Sequence, residues 1–358
     1  MLSTLALTCA LLTSPAAPRP APLGDLDAGA EISVLRVIDG KLYVGGQFQR
    51  ANRKLANNIA VWDGTSWSTL GRGVDGKVYD ICGVGGKIYV VGDFSAANKG
   101  SEDEGIPARR IAAWDGTKWS GIAARPVDRE IYALATDGKN LYLGGNFTKI
   151  NDETETRGVA MYDGKTIKAI GGKFDRAVMS MVWMKGKLYA GGIFNEFGDD
   201  SFNKVAVWDG KTWSELGNGG LDQSVKRLAT DGEAIYAAGA FTVDGSKGIA
   251  KFDGTKWSNV LKTSGETWWV HVENGKLYVA GDFTNAGGTN THMLAIAEGG
   301  KVQGADEITY ATHNVLMPFK GVVAVGGRYG DTQGTDIGGT IKWDGTSRQG
   351  FEKSLSGN

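Results

Sequence analysis

Four aspartates recur at one position of a repeating sequence pattern and are the first candidates for chemistry. Each lies three residues before an apolar stretch, and an arginine follows directly in two copies: Asp75, Asp128–Arg129, Asp175–Arg176 and Asp222. Hard cations take several carboxylate oxygens as ligands, so four such residues on one face could hold Ca²⁺ or a cationic ligand. The alternative is an Asx turn into each strand, a local backbone device that recurs because the pattern recurs.

Aromatic residues form the second set of candidates. Eight of the eleven tryptophans belong to repeated phrases, which is typical of packing between the copies of a repeat. Trp268 and Trp269 stand outside those phrases, in an apolar stretch that the pattern predicts to be a strand. They could stack on a sugar or an apolar ligand, and core packing is the simpler alternative.

Motifs for the common hydrolytic and metal chemistries are absent from the sequence. It contains no Gly-x-Ser-x-Gly elbow, no His-Glu-x-x-His pair and no phosphate-binding glycine loop. The three histidines, His271, His292 and His313, do not form a ring-symmetric metal pair. A carboxylate pair for glycoside cleavage, Asp128 or Asp175 with Glu266, is the enzymatic alternative, because that chemistry needs two carboxyl groups.

Composition favours one all-β unit. The chain has 358 residues, 55 glycines and only seven prolines, so the glycines punctuate a fold and do not mark a disordered tract. A formal net charge of −1 leaves no electrostatic footprint for nucleic acid or for an anionic membrane. We expect neither as a partner.

The N-terminal residues predict export. Residues 2–12 form an apolar run too short to span a bilayer, and small residues suited to a signal peptidase follow at 14–17. We expect a signal peptide over 1–16, a Pro-rich linker over 17–23 and a mature domain over 24–358 that is secreted, periplasmic or at the cell surface. Cys82 would then be the only cysteine, a buried hydrophobe without a disulfide partner.

The elements that position these residues come from one repeated unit. The phrase at residues 42–48 ends on an aromatic residue, which returns at intervals of 42 to 53 residues as Phe94, Phe147, Phe194, Phe241, Phe283 and Tyr329. A second phrase, at residues 59–67, contains Trp-Asp-Gly and recurs behind each copy of the first. Internal repeats of this length indicate a solenoid, a propeller or an array.

Each unit predicts four short strands, A to D. Asp-Gly between strands C and D predicts a type I′ turn, and the double glycine that ends strand B predicts a bulge or a close backbone approach. Four strands with a period of 40 to 50 residues are typical of propeller blades. The sequence therefore predicts an all-β fold, a seven-bladed β-propeller of four-stranded antiparallel blades, with whole blades at both ends of the chain.

These phrases resemble the kelch repeat of the galactose-oxidase-like propellers. The resemblance covers all seven units and departs from the family in the short turn between Trp62 and Trp67. The chain is also similar to propeller repeats of secreted bacterial proteins of unknown role and of fungal cortical polarity markers, which implies recognition or display outside the cell. The copper site of the oxidases needs two histidines, a tyrosine and a tyrosine cross-linked to cysteine. Here the histidines form no ring-symmetric pair and the one mature cysteine, Cys82, lies in an apolar strand beside Tyr79, so we expect no copper site.

Together these features predict a monomeric, non-enzymatic recognition or scaffold propeller that binds an extracellular protein or a glycan. The binding surface would be the face that the D-to-A and B-to-C loops share. The candidate ligand-binding residues are Asp75, Asp128, Arg129, Asp175, Arg176, Asp222, Trp268 and Trp269, with Ca²⁺ as the one cofactor considered. The alternative is a carbohydrate-active enzyme, a glycoside hydrolase or a lyase, that uses the same face.

Overall fold

The structure is a computed structural model. It describes residues 26, 30–100, 104–122, 126–151, 154–217, 219–304, 310–330, 339–343 and 348–349. Within them the chain folds into four-stranded antiparallel sheets, and in each sheet the strands A, B, C and D lie in chain order. The predicted signal peptide (1–16) and linker (17–23) lie outside the described residues.

Six blades follow this order without exception. Blade 1 consists of Glu31–Ile38, Lys41–Gln47, Ile59–Trp62 and Trp67–Thr69. Blade 2 consists of Lys77–Val84, Lys87–Asp93, Ile111–Trp114 and Trp119–Gly121. Blade 3 consists of Ile131–Thr136, Leu141–Gly145, Val159–Tyr162 and Ile167–Ala169. Blade 4 consists of Val178–Met184, Lys187–Gly192, Val205–Trp208 and Trp213–Glu215. Blade 5 consists of Val225–Thr230, Ile235–Gly239, Gly248–Phe252 and Trp257–Lys262. Blade 6 consists of Glu266–Glu273, Lys276–Asp282, Leu294–Glu298 and Lys301–Gly304.

The prediction of seven equivalent blades is wrong, and the count is corrected to six complete blades. The C-terminal strands form a further four-stranded sheet that departs from the repeat: Tyr310–Phe319, Val322–Gly330, Gly339–Trp343 and Arg348–Gln349. Its first two strands have 10 and 9 residues, and their ladder continues outward to the pair Tyr310↔Gly330. Tyr310 occupies the unit position of Asp75, but blades 1 and 6 also lack an aspartate there, with Gly29 and Ser264, so the longer ladder is what distinguishes this sheet.

The B-to-C loops carry short hairpins of their own. Each is a two-residue ladder, found in blades 1, 2, 3, 4 and 6 at Arg50–Ala51/Lys54–Leu55, Ala96–Ala97/Ile106–Pro107, Lys149–Ile150/Thr154–Glu155, Glu196–Phe197/Asp200–Ser201 and Asn285–Ala286/Thr289–Asn290. The segment that enters strand A pairs with this hairpin through single bridges such as Val74↔Ala97 and Val127↔Ile150. The two kinds of loop are therefore joined on one face of each blade.

The double glycine at the end of strand B confirms the predicted close approach. A Cβ atom on Gly46 would lie 2.0 Å from the carbonyl oxygen of Glu31, and one on Gly92 would lie 2.0 Å from that of Lys77. The opposite strand A has a register shift at the same level, between Ile32 and Val34 in blade 1. A side chain cannot fit where two backbones approach this closely, and glycine is therefore required.

The turn between strands C and D differs from the predicted type I′ turn. Four residues, 63–66, separate the cross-strand pair Trp62↔Trp67, and of the Asp-Gly pair only Gly64 has a positive φ, at 107°. Asp63 instead accepts hydrogen bonds from the backbone N–H groups of Thr65 (2.7 Å) and Ser66 (2.8 Å). The turn is an Asx-capped loop, because the carboxylate supplies the acceptor that a two-residue hairpin would take from the backbone.

The hydrophobic cores lie between blades. Buried residues of neighbouring blades form shared clusters, for example Val34 of blade 1 with Val78 of blade 2. The indole of Trp119 is buried in this cluster, and its Nε1 donates to the carbonyl oxygen of Leu70 in the preceding blade at 2.6 Å. Trp213 repeats this bond to Ile170 at 2.9 Å. The repeated tryptophans thus pack between blades, as the sequence predicts.

One core cluster closes the ring. It joins Leu35 of blade 1, Leu316 of the C-terminal sheet and Tyr278 of blade 6. Blade 1 takes all four strands from residues 31–69, and Leu26 bridges to Ala51 in the hairpin of that same blade. Among the described residues, packing closes the ring and no strand is exchanged between the termini.

Candidate ligand-binding face

The four aspartates link the two loops of their own blade. Asp128 precedes strand A of blade 3, and its carboxylate accepts hydrogen bonds from Thr148 N (2.7 Å), Thr148 Oγ1 (2.6 Å) and Lys149 N (2.9 Å). Thr148 follows strand B, so the bonds span 20 residues and join the D-to-A segment to the B-to-C loop. We call this arrangement the aspartate clamp.

The clamp repeats in four consecutive blades. Asp75 accepts from Ser95 N (2.8 Å), Ser95 Oγ (2.7 Å) and Ala96 N (2.9 Å). Asp175 accepts from Asn195 N and Glu196 N, at 2.8 and 3.0 Å. Asp222 accepts from Thr242 N and Thr242 Oγ1, at 2.8 and 2.7 Å. The bonds reach across to the next loop, whereas an Asx turn would have kept them within the segment that enters strand A.

Two clamp carboxylates are shifted toward their charged form. Burial opposes the charge of Asp128, but the hydrogen bonds from Thr148 and Lys149 outweigh it and lower its pKa. The same balance lowers the pKa of Asp75, where burial is opposed by bonds from Ala96 and Ser95 and by the positive charge of Lys99. A carboxylate that accepts several N–H and O–H donors is stabilised in its ionised state.

The clamps do not converge on a common ligand. Each carboxylate bonds within its own blade, and across the described ranges no group of three or more His, Cys, Asp or Glu side chains could hold a metal ion. Arg129 and Arg176 are more than half exposed and lie 3.9 and 3.8 Å from their neighbouring carboxylates, Asp128 and Asp175. Exposed pairs of this kind contribute little to stability, so these arginines are free to meet a ligand.

The carboxylates considered for glycoside cleavage are engaged in other contacts. Asp128 and Asp175 serve in clamps, and Glu266 lies 3.8 Å from the amine of Lys247. Glycoside cleavage needs one carboxylic acid with a raised pKa, but the pKa of Asp128 is lowered. The described contacts therefore give no support to these carboxylates as a pair for glycoside cleavage.

A polar cavity of about 730 Å³ opens on the clamp-bearing face between blades 1 and 2. Its lining includes residues from the loops and strand ends of both blades, namely Gln47, Gln49, Asn57, Asp75, Lys77 and Lys99. A second cavity of about 420 Å³ shares Asp75 and is lined by Asp93, Arg109 and Arg110. The Nε atom of Arg110 is buried without a hydrogen-bond partner among the described residues.

Sequence reasoning found Asp75 but missed the rest of this lining. The amides and lysines come from non-equivalent positions in two different units, so no repeated phrase brings them together. The signal that was present is the irregular length and high charge of the B-to-C loop of blade 2, because binding residues concentrate on loops held by a rigid scaffold.

Trp268 and Trp269 lie in the innermost strand of blade 6. Trp269 is buried, and its Nε1 donates to the carbonyl oxygen of Leu316 at 2.9 Å. Trp268 is partly buried against the same core cluster, and its Nε1 has no partner among the described residues. Both tryptophans therefore pack in or against the core cluster, and neither lines the cavity between blades 1 and 2.

Cys82 has the properties of an inert side chain. It is free and partly buried, and burial raises the pKa of its thiol to about 12, with a further contribution from the charge of Asp80. The thiolate is the nucleophilic form of cysteine, and at neutral pH this residue does not adopt it.

No helix in the described ranges has the length and apolar character needed to cross a membrane.

Comparisons with known proteins support the propeller fold. A model for a β-propeller domain of unknown function, DUF5122, matches residues 273–294, which contain strand B of blade 6. A comparison with curated proteins finds no match. The chain is a β-propeller of repeated units, and the match is too short to show membership of that family.

Solved structures agree on the fold. The computationally designed Ika8 protein matches with a TM-score of 0.53 and 14% identity over 91% of this chain and 98% of its own. The propeller domain of the Trilobed protease from Pyrococcus furiosus has a TM-score of 0.50 and 14% identity over 89% and 97%. The extracellular domain of BT4673 from B. thetaiotaomicron, described as a one-component system, has a TM-score of 0.52 and 12% identity over 87% and 40%. At these identities the likeness is one of fold alone.

Proposed function

We propose that this chain is a non-enzymatic recognition propeller, kelch-like in its repeat and exported from the cytoplasm, that binds a glycan or a protein through its clamp-bearing face. The observation that carries the proposal is the polar cavity between blades 1 and 2. Amide side chains, one carboxylate and two lysines surround about 730 Å³ there. Such a lining offers both donors and acceptors to a ligand rich in hydroxyl or amide groups.

The clamps support this function by fixing the cavity. Asp75 ties the segment that enters blade 2 to Ser95, and Lys77 of the same segment forms a 2.6 Å ion pair with Glu31 of blade 1. Asn58 adds a second link, because it accepts from Phe48 N at 3.0 Å and donates to Val74 O at 2.8 Å. A site whose loops are held in place loses less conformational entropy when a ligand binds.

The extracellular location rests on the predicted signal peptide and agrees with one structural neighbour. The similar domain of BT4673 is an extracellular domain. That likeness adds support to export and says nothing of the ligand, since folds of this kind host many functions.

The test is a glycan array and a peptide array probed with the full chain, with and without Ca²⁺. We expect binding that does not depend on Ca²⁺ and that falls at least tenfold in Gln47→Ala and Lys99→Ala. These side chains line the cavity, and Lys99 is half exposed. Lys118→Ala is the matched control, because this exposed lysine lies in the C-to-D turn at the other end of blade 2.

Loss of binding in the control as well, or retained binding in both cavity variants, would place the ligand elsewhere. Binding that requires Ca²⁺ would contradict the clamp as a set of carboxylates already satisfied by the protein. If neither array gives a signal with the wild-type chain, the recognition proposal fails.

A further inference from the structure

The innermost strands carry polar side chains that do not repeat from blade to blade. The A strands of neighbouring blades contact one another around the central channel. Directly after the register shift, the six blades have Val34, Asp80, Ala133, Ser180, Arg227 and Trp269. Two residues further along, Arg36 in blade 1 and His271 in blade 6 are the charged or titratable residues apart from Cys82. Equivalent positions in one repeat therefore hold a carboxylate, a hydroxyl, a guanidinium and an indole.

Asp80 is fully engaged by the protein. Its buried carboxylate receives Arg36 Nη2 at 2.7 Å, its neighbour Ile81 N at 2.9 Å and Leu134 N of blade 3 at 3.0 Å. Arg36 Nε also donates to the carbonyl oxygen of Ile81 at 3.3 Å. This pair joins blades 1, 2 and 3, and its two charges cancel.

Arg227 has no such partner. Its guanidinium carbon lies 4.1 Å from the centre of the Trp269 ring, in a cation–π contact. Within the described parts of the chain, no carboxylate, carbonyl or hydroxyl oxygen accepts a hydrogen bond from it. Trp269 is itself fixed by its bond to Leu316, so the guanidinium rests on a rigid surface. A partly buried guanidinium with five unused N–H donors is open to an anionic ligand.

Two further polar atoms in strand A of blade 6, the strand that carries Trp269, lack partners among the described residues. They are Nε1 of Trp268, which adjoins Trp269 in the chain, and Nε2 of His271 in the same strand, and both atoms are buried. Burial and the positive charges of Arg36 and Arg227 lower the pKa of His271 to about 4. The two arginine charges therefore reach across the channel, and Asp80 balances only one of them.

We propose that the central channel binds a small oxyanion, a phosphate or a carboxylate, through the guanidinium of Arg227 that rests on the ring of Trp269. A planar oxyanion or a phosphate face matches the fork of N–H donors on a guanidinium, and the bond is strengthened because both groups are charged. The anion also balances the net positive charge that Arg227 adds to the channel. Its site is separate from the cavity of the clamp-bearing face.

The test uses inorganic phosphate as the probe, with the full chain at constant ionic strength and sodium chloride as the compensating salt. We expect phosphate to raise the melting temperature of the wild type in a saturable way, and titration calorimetry to give a stoichiometry of one. Arg227→Gln should weaken phosphate binding at least tenfold.

Arg157→Gln is the matched control, since it removes the same guanidinium from an exposed loop position outside the channel. It should bind phosphate as the wild type does. If Arg227→Gln does not fold, Arg227→Lys carries the test, because Lys retains the charge but loses the fork and should also weaken phosphate binding. An equal melting temperature in phosphate and chloride, or equal weakening in Arg157→Gln, would overturn the site.

Discussion

The repeated outer parts of the blades and the unrepeated central channel use polar groups in opposite ways. Between the blades, the indole N–H groups of Trp119 and Trp213 each donate to a carbonyl oxygen of the preceding blade. On the clamp-bearing face, each clamp carboxylate accepts two or three hydrogen bonds. In the channel, Arg227 and the Nε atoms of Trp268 and His271 lack such partners among the described residues. A residue that recurs in copy after copy meets a need that every blade shares, which is packing.

This comparison predicts that the tryptophans packed between blades contribute more to the free energy of unfolding than the channel residues do. Trp119→Ala should lower the free energy of unfolding by about 3–5 kcal/mol, because it empties a buried indole site between blades 1 and 2 and leaves the Leu70 carbonyl without its donor. Urea denaturation followed by circular dichroism measures the change. Trp119→Phe should lose about half as much, and a loss below 1 kcal/mol in Trp119→Ala would show that the indole is not a packing element.

The channel makes a smaller contribution that depends on pH. Burial and two arginine charges lower the pKa of His271 from an ordinary value of 6.5 to about 4. Between these values the unfolded chain binds a proton that the folded protein does not, so stability is lost as pH falls. Relative to His271→Phe, the wild type should lose roughly 2–3 kcal/mol of unfolding free energy between pH 7 and pH 4.

Chemical denaturation of both proteins across that range gives the difference, which removes the contribution of carboxylates common to both. Thr289→Ala is the control, since Thr289 is exposed in a hairpin, carries no titratable group and should leave the pH dependence of the wild type unchanged. If the difference between wild type and His271→Phe stays constant with pH, His271 titrates normally and the channel is less positive than its arginines indicate.

The sequence predicts the repeated part of this molecule well. Strand order, the tryptophans between blades and the glycines that let strand B approach strand A all come from patterns that recur, and each recurrence strengthens the inference. The predicted count of seven blades was wrong. The C-terminal copy retains the aromatic at Tyr329 but has Tyr310 at the clamp position, and its ladder extends beyond the length of the other blades.

The candidate sites were harder to predict for the same reason. The spacing of Asp75 and Asp128 shows that they are equivalent, but not that their bonds run to Ser95 and Thr148, 20 residues away. The cavity between blades 1 and 2 and the pairing of Arg36 with Asp80 depend on contacts between different units. A single sequence does not show which residues from non-equivalent positions of different units come into contact.

The smallest effect should come from a single clamp. Asp128→Ala removes three acceptor contacts from a partly exposed site and should lower the free energy of unfolding by about 1–2 kcal/mol at pH 7. The pKa of Asp128 is lowered, so this contribution is present above the ordinary Asp range and disappears as pH falls through the folded-state value. Asp199→Ala, at an exposed loop position, is the control and should change stability by less than about 0.5 kcal/mol.

Because blades 3 and 5 are not neighbours, Asp128→Ala combined with Asp222→Ala should give the sum of the two losses. A double variant that loses much more than the sum would mean that the clamps act as one unit around the ring. The contrast between clamps that act independently, each in its own blade, and channel residues that interact across blades would then be wrong.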